Sequence, residues 1–381
     1  MAIVANMLAT APTGLWEKII FAFNGAVKNY ALAIILLTLC IKLIMLPLDY
    51  INRRSSAKMT EVQEKLQPKM AEIQRKYPDK TIQNQKMGEL YQKEGFNPMG
   101  SCLPMLSVMV LSMVVFFTLF GGLNRMAAYK ITDQYEKLQM AYITDYCKTE
   151  KTLTAEQLSA LTSAEVEGYI LEIKDSGNET VIAIANANVE EKYKEVQERF
   201  LWIKNVWIAD SPLAKAIPTF DAYAKTAGLK FEGEDAEVKK TQAETAYNTV
   251  MGNLEKTQGV NGYFILAILA GVSTFLSQYL LTKKKKQREN YYSQQAKESD
   301  AQKAQQSSSK MMMIIFPVIM LIFTLSYNSI FAIYIVTSQL FSTATAPLIN
   351  KILDLRKNKK AVAGNNNKVV DITDDKKSKK K

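Results

Sequence analysis

Apolar residues along the chain are gathered into blocks instead of recurring at the period of a half-buried helix or strand. About 20 residues of helix are needed to cross ~30 Å of hydrocarbon. Five stretches meet or approach that length: Tyr30–Leu48, Leu103–Leu123, Val260–Leu281, Met311–Tyr327 and Ser329–Ile349. Lipid offers the backbone no partner, so each stretch is read as a helix that satisfies its own N–H and C=O groups. The fourth is short and runs almost directly into the fifth, which predicts a helical hairpin turning near Asn328. The fold class expected is therefore an all-α integral membrane protein of five transmembrane helices.

The segments between the blocks carry their own patterns. In Gly14–Asn29, Leu15, Ile19, Ile20, Phe23 and Val27 recur at helical spacing beside Trp16, which predicts an amphipathic helix at the membrane surface (residues 1–29 as a unit). In Ile51–Asn97, Met59, Val62, Leu66, Met70, Ile73 and Tyr77 form one narrow stripe. Tyr77-Pro78-Asp79 ends that helix. A second helix follows from about Lys80 to Glu94, and Gly95-Phe96-Asn97-Pro98 turns the chain back. This helical hairpin is either a plain coiled coil docked on the bundle or a contact surface for other proteins. The 124–259 loop is too long for a simple connection. Thr154-Ala-Glu-Gln157 and Thr162-Ser-Ala-Glu165 are capping-box patterns that open helices, and Thr180–Asn186 reads as a short strand. A small, mostly helical domain is expected there. Gln- and Ser-rich sequence after Lys283-Lys284-Lys285-Lys286 predicts a flexible 283–310 loop, and the Asn- and Lys-rich 351–381 tail is expected to be disordered.

Charge orients these elements. Lys+Arg against Asp+Glu stands at 10 to 6 in Ile51–Cys102, 8 to 3 in Lys283–Lys310, 11 to 4 in Lys351–Lys381, and 16 to 22 in Asn124–Gly259. Basic loops stay on the cytoplasmic side. The alternation places the N-terminus and the long loop outside and the tail inside. The formal +11 is then mostly cytoplasmic, where anionic lipid and RNA are the attractors and DNA is not expected. Met1–Ala11 lacks a basic n-region and a long enough apolar run for a secretory signal, so the first span is expected to act as its own insertion signal. Cys40 lies inside that span, which argues against lipoprotein processing.

The chain has no histidine, which removes the commonest general base and the commonest zinc ligand. Cys40, Cys102 and Cys147 lie in different segments without a CxxC pair. No metal, no cofactor and no enzymatic activity are expected. The residue that does not fit its surroundings is Lys42, between Ile41 and Leu43. A charge at a helix centre costs ~2.5–3.5 kcal/mol on insertion scales. Either Lys42 snorkels to the headgroups, six residues from Leu48, or it faces an internal wet cavity. Thr38, Ser107, Ser112, Thr118, Ser273, Ser277, Gln278, Ser338 and Gln339 are the other polar residues of the spans. They either bond to their own helices or line a groove with Lys42.

The order of these features resembles the YidC family of membrane protein insertases. The resemblance is carried by Thr38-Leu-Cys-Ile-Lys-Leu-Ile-Met-Leu-Pro-Leu48, the hairpin Met59–Tyr91, and Gly95-Phe-Asn-Pro-Met-Gly-Ser-Cys-Leu-Pro-Met105. It continues through Arg199-Phe-Leu-Trp-Ile-Lys-Asn-Val-Trp-Ile-Ala-Asp-Ser-Pro212, Met311–Pro317 and Ala332–Ser338. About two thirds of the chain is covered, and residues 130–198 have no counterpart. Lys42 stands where the family has a groove arginine. Ile330 and Ile335 stand where it has a glycine and an aromatic residue.

The resemblance implies a hydrophilic groove, open to cytoplasm and lipid and closed to the outside, with Lys42, Thr38, Ser107, Ser112, Gln278, Tyr334, Ser338 and Gln339 as its substrate-facing residues. Arg53, Arg54, Lys58, Lys65, Lys69, Arg75 and Lys76 would make the hairpin a guide for clients. Lys376, Lys377, Lys379, Lys380 and Lys381 would contact a ribosome or anionic lipid. Nascent membrane proteins are the implied clients, with the Sec translocon as a further partner. Two other classes fit five spans less well. A small polytopic transporter predicts internal repeats that the sequence lacks, and a membrane-anchored extracytoplasmic binding protein would place its function in the 124–259 domain.

Overall fold

The computed structural model describes residues 11–95, 98–277, 279 and 300–377, and all regular structure among them is helical. In chain order the helices are α1 Leu15–Val27, α2 Tyr30–Lys76, α3 Lys80–Lys93, α4 Pro98–Thr149, α5 Ala155–Ser159, α6 Ser163–Asp175, α7 Glu179–Val196, α8 Phe220–Ala227, α9 Ala236–Gln258, α10 Ile265–Ser277, α11 Asp300–Ser326 and α12 Ser329–Lys377. Three contain stretches long and apolar enough to cross a bilayer: Tyr30–Lys58, Leu106–Thr149 and Ser329–Arg356. Ile265–Ser277 and Ile314–Ser326 are shorter apolar helices.

Three helices run on past the predicted ends of their apolar blocks. The 47 residues of α2 carry through Pro47 and Pro68 into the first arm of the hairpin, about 70 Å at the α-helical rise. Likewise α4, 52 residues long, does not stop at Leu123. Leu123, Met126, Ala127, Ile131, Tyr135, Leu138, Tyr142 and Cys147 continue one buried stripe at helical spacing, so the helix persists into the body that follows. Finally, α12 continues to Lys377, through the tail expected to be irregular, since no proline follows Pro347 to end it.

The chain divides into two compact units, Met1–Thr38 with Val115–Val272 and Pro317–Thr337, and Leu39–Val114 with Ser273–Phe316 and Ser338–Lys381. In the first, α6, α7, α8 and α9 pack together. Val166, Ile170 and Ile173 of α6, Ala185, Val189 and Tyr193 of α7, and Ala243, Tyr247, Val250 and Leu254 of α9 form the buried stripes. Tyr247 stacks on Tyr223 of α8 at 4.8 Å, and Tyr135 of α4 lies 4.9 Å from Tyr247. Both expected capping boxes are present, at Thr154 with Gln157 and at Thr162 with Glu165. The strand read at Thr180–Asn186 is instead the first part of α7. Asn178 caps the N–H groups of Thr180 and Val181, and the stripe on α7 is helical; tertiary packing overrides the β-branched composition. On α1, Ile20 and Glu17 are fully buried, and the Glu17 carboxylate pairs with Arg125 of α4 at 2.5 Å.

In the second unit α3 folds back along the end of α2. Asp79 caps α3 by accepting from the Thr81 N–H, Gln83 donates to the Tyr77 carbonyl at 2.6 Å, and Lys69 pairs with Glu94. Arg356 of α12 donates to the Tyr50 hydroxyl of α2 at 2.6 Å and lies over its ring.

Ile170 is fully buried and Ile184 half exposed. Ile170→Ala should destabilise the helical body by about 2–5 kcal/mol, and Ile184→Ala by no more than ~0.5 kcal/mol, read from chemical unfolding midpoints. Burial pushes the Glu167 carboxyl above the usual carboxylate range. Its contribution to stability is therefore present below the ordinary value and lost as pH rises through the raised one. Glu167→Gln should raise stability at neutral pH and flatten the pH dependence across that window, as measured by thermal unfolding at a series of pH values.

Candidate functional site

Two polar arrangements stand out beside the apolar helices. One joins the starts of three apolar helices within the first unit. The other is a row of charges on α2 within the second.

The joining element is the non-helical segment 199–212. Asn261, fully buried, accepts from the Asn205 N–H at 2.7 Å and donates to the carbonyls of Asn205, Ile208 and Ala209 at 2.9, 3.2 and 2.9 Å. Asp210 accepts from the Trp202 indole at 3.2 Å, from the Tyr263 N–H at 2.9 Å and from the Leu266 N–H at 2.6 Å. The last of these is a first-turn donor of α10, so a buried carboxylate sits at that helix's positive end. Gly262 is required here, because a Cβ would meet the Asp210 backbone at 2.9 Å. These contacts are why α10 starts at Ile265 and not at Val260, where the apolar run begins.

The same segment serves α12 and α2. Ser329 donates to the Ile208 carbonyl from both its N–H, at 2.9 Å, and its hydroxyl, at 2.6 Å, and the Ile330 N–H donates to the Val206 carbonyl at 3.0 Å. Asn29, ahead of α2, donates to the Arg199 carbonyl at 3.3 Å, and Tyr30 meets Trp207 edge-on at 5.2 Å. Beside this junction Phe116 and Phe120 of α4, Phe323 of α11, Tyr327, and Phe331 and Tyr334 of α12 form an aromatic cluster. Phe120 lies 4.8 Å from both Tyr327 and Phe331, and Tyr334 lies 6.4 Å from Phe116.

Lys42 is half-buried on α2. Asp49 and Arg53 follow at seven and eleven residues, close to one face of the helix, and both are also half-buried. The Asp49 carboxylate acts electrostatically on both cations. Asp49 was missed in the sequence because it stands one residue beyond the apolar run; its spacing from Lys42 was the signal available.

The other expected groove residues separate as follows. Thr38 is buried and donates to the Ile34 carbonyl at 2.6 Å, so its hydroxyl is committed to its own helix. Ser107 is exposed on α4, Ser112 partly exposed, and Ser338 and Gln339 partly exposed on α12. Tyr334 is buried among aromatic rings. Lys42, Ser107, Ser112, Ser338 and Gln339 belong to one unit, Thr38 and Tyr334 to the other. Gln278 lies outside the described residues. On the hairpin, Arg54, Lys58, Lys65, Lys69, Arg75 and Lys76 are exposed and Arg53 half-buried. Lys376 and Lys377 end α12, and Lys379, Lys380 and Lys381 lie outside the described residues.

Comparison with known proteins gives a match over residues 22–358 to the family model described as 60Kd inner membrane protein. Among curated relatives, Membrane protein insertase YidC 1 of Streptococcus agalactiae serotype V is 37% identical over 124 residues, 31% of this chain and 44% of that one. Membrane protein insertase YidC of Geobacter sulfurreducens is 42% identical over 102 residues, 26% of this chain and 18% of that one. The protein of the same name from Aeromonas hydrophila is 39% identical over 133 residues, 32% and 24% respectively. The chain thus spans less than half the length of these relatives.

Removing Asn261 leaves the buried Asn205 N–H without its acceptor and takes one donor from each of the Asn205, Ile208 and Ala209 carbonyls, which keep the N–H groups of Ile208, Ser329 and Ser211. Each orphaned buried group costs about 1–3 kcal/mol. Asn261→Ala should therefore lower the unfolding midpoint far more than Lys215→Ala, whose side chain is half exposed in a surface ion pair worth ~0–1 kcal/mol. Thermal unfolding in detergent checks this.

Proposed function

The chain belongs to the 60Kd inner membrane protein family, and we propose that it is a membrane protein insertase: it carries short polar segments of client proteins across the bilayer and releases their hydrophobic helices into lipid. The observation that carries this reading is Lys42, a half-buried cation in the first long apolar helix of a chain whose curated relatives bear the name insertase.

In the proposed architecture the three long apolar helices are joined by α10 and the apolar half of α11 as five spans, with the 124–259 body outside and the basic segments in the cytoplasm. The spans surround a hydrophilic groove that holds Lys42, with Ser107, Ser112, Gln278, Tyr334, Ser338 and Gln339 toward the client. The knot around Asn261 and Asp210 favours closure at the outer end, since it leaves few buried backbone groups there free to hold water.

The energetics are of the right size. A carboxylate drawn to mid-depth costs ~2.5–3.5 kcal/mol on insertion scales. An opposite charge at about 4 Å in a medium of effective dielectric ~20 returns about 4 kcal/mol. Lys42 therefore offsets the passage of one acidic client residue without trapping it. Asp49 moderates the cation when no client is present, and the client carboxylate competes with it. Transfer of the client's Leu, Ile, Val and Phe into hydrocarbon then drives release. No bond is made or broken, so the protein acts without enzymatic chemistry. The hairpin from Arg53 to Glu94 guides clients or a Sec translocon, and the basic end of the chain holds a ribosome or anionic lipid in a salt-sensitive contact.

The test is reconstitution into liposomes with a single-span client bearing an acidic tail. Insertion should depend on the protein, persist with Lys42→Arg and fall tenfold or more with Lys42→Glu. Equal insertion by Lys42→Glu would remove the electrostatic mechanism, and insertion equal to protein-free liposomes would remove the insertase reading itself.

A further inference from the structure

The helical body carries a feature that insertion through a membrane groove does not use. A groove of about 700 Å³ runs between α4, the start of α6 and α7, with α5 at one end. Its floor is apolar, made by Met140, Leu158, Leu161 and Val166. Along α4 it extends from Asp133 to Asp145, which is about 18 Å of helix or a little over three turns.

The rim is charged, and unevenly. Asp133, Glu136, Asp145, Glu191 and Glu195 face Lys137 and Lys192. Both lysines are engaged locally, Lys137 with Asp133 at 2.8 Å and Lys192 with Glu195 at 2.7 Å. Asp145 on α4 accepts from the neutral Asn188 amide at 2.9 Å, Glu191 stands on α7, and the five carboxylates of the rim outnumber its two lysines. The 124–259 segment as a whole is acidic, 16 Lys+Arg against 22 Asp+Glu, so the approach to the groove is attractive to cations.

An apolar floor of this length between acidic walls fits one class of occupant. We propose that the groove docks a basic amphipathic helix of about three turns, presented by a partner protein on the same side of the membrane. The apolar face of that helix would lie on Met140 and Leu161, and its Lys or Arg residues would reach Asp145 from one side and Glu191 from the other. This goes beyond the insertase reading and stands or falls separately from it, because the groove lies wholly within the 124–259 body and α4.

The test uses the full chain in nanodiscs of uncharged phosphatidylcholine, with empty nanodiscs as baseline. The probe is a fluorescent Leu/Lys peptide of about twelve residues with one apolar and one basic face. Saturable binding above baseline is expected, weakened tenfold or more by Asp145→Lys combined with Glu191→Lys, and weakened again by raised salt. Asp145 and Glu191 are both exposed, and the bond that Asp145 accepts from the Asn188 amide is itself at the surface, so the fold should tolerate the change. Leu161→Gln, which alters the floor and leaves the rim intact, provides a second variant and should also weaken binding. The proposal is overturned if the peptide binds no better than to empty nanodiscs, if a Leu/Glu peptide binds as well, or if neither variant changes the affinity. Client insertion into liposomes by the charge-reversed variant should match the parent, which separates loss of docking from loss of insertase function.

Discussion

A helix that begins inside a protein leaves its first N–H groups without partners, and in the first unit one short segment meets that requirement directly at two helix starts and holds the capping side chain at a third. The carbonyls of Val206 and Ile208 take the first donors of α12, the Asp210 carboxylate takes those at the start of α10, and the Arg199 carbonyl takes the side chain that caps α2. The segment can give away so many acceptors because it is not helical itself. Asn261 holds it in that form by bonding its backbone at four places. The relative order of these three helices is thus fixed by polar groups at one end, while the aromatic cluster of Phe116, Phe120, Phe323, Tyr327 and Phe331 fixes it by packing just beyond.

The charges on α2 obey the opposite logic. Asp210 and Asn261 are buried and saturated with partners. Lys42, Asp49 and Arg53 are half-buried on one helix face. A saturated, buried polar site is suited to holding structure, and a partly exposed row of charges is suited to exchanging partners. That contrast is what links the fold to the proposed activity: rigid where the helices are tied together, adaptable where a client carboxylate would enter. The family match over residues 22–358 includes both sites.

Much of this could be read in the sequence because the signals were local. The apolar blocks, the capping boxes at Thr154 and Thr162, the hairpin break at Pro78 and the misfit of Lys42 each depend on a few neighbouring residues. The continuation of α4 past Leu123 was also written locally, in the stripe from Met126 to Cys147, but the charged positions between made the stretch look like a loop. Thr180–Asn186 misled because its β-branched residues suit a strand until α6 and α9 supply a helical packing partner. Asn205, Asp210 and Asn261 were not legible as a site. They look like any polar loop residues, and what sets them apart is which carbonyls and N–H groups, fifty residues or more away, they meet.

The central claim is that position 42 lies in water reachable from the basic side of the membrane and sealed from the side of the 124–259 body. Replacing Lys42 by cysteine, with Cys40, Cys102 and Cys147 changed to serine, makes that directly measurable in oriented vesicles with a membrane-impermeant thiol reagent. Modification from the side of the basic segments alone is the predicted result. Modification from the opposite side, or from neither, would contradict the account.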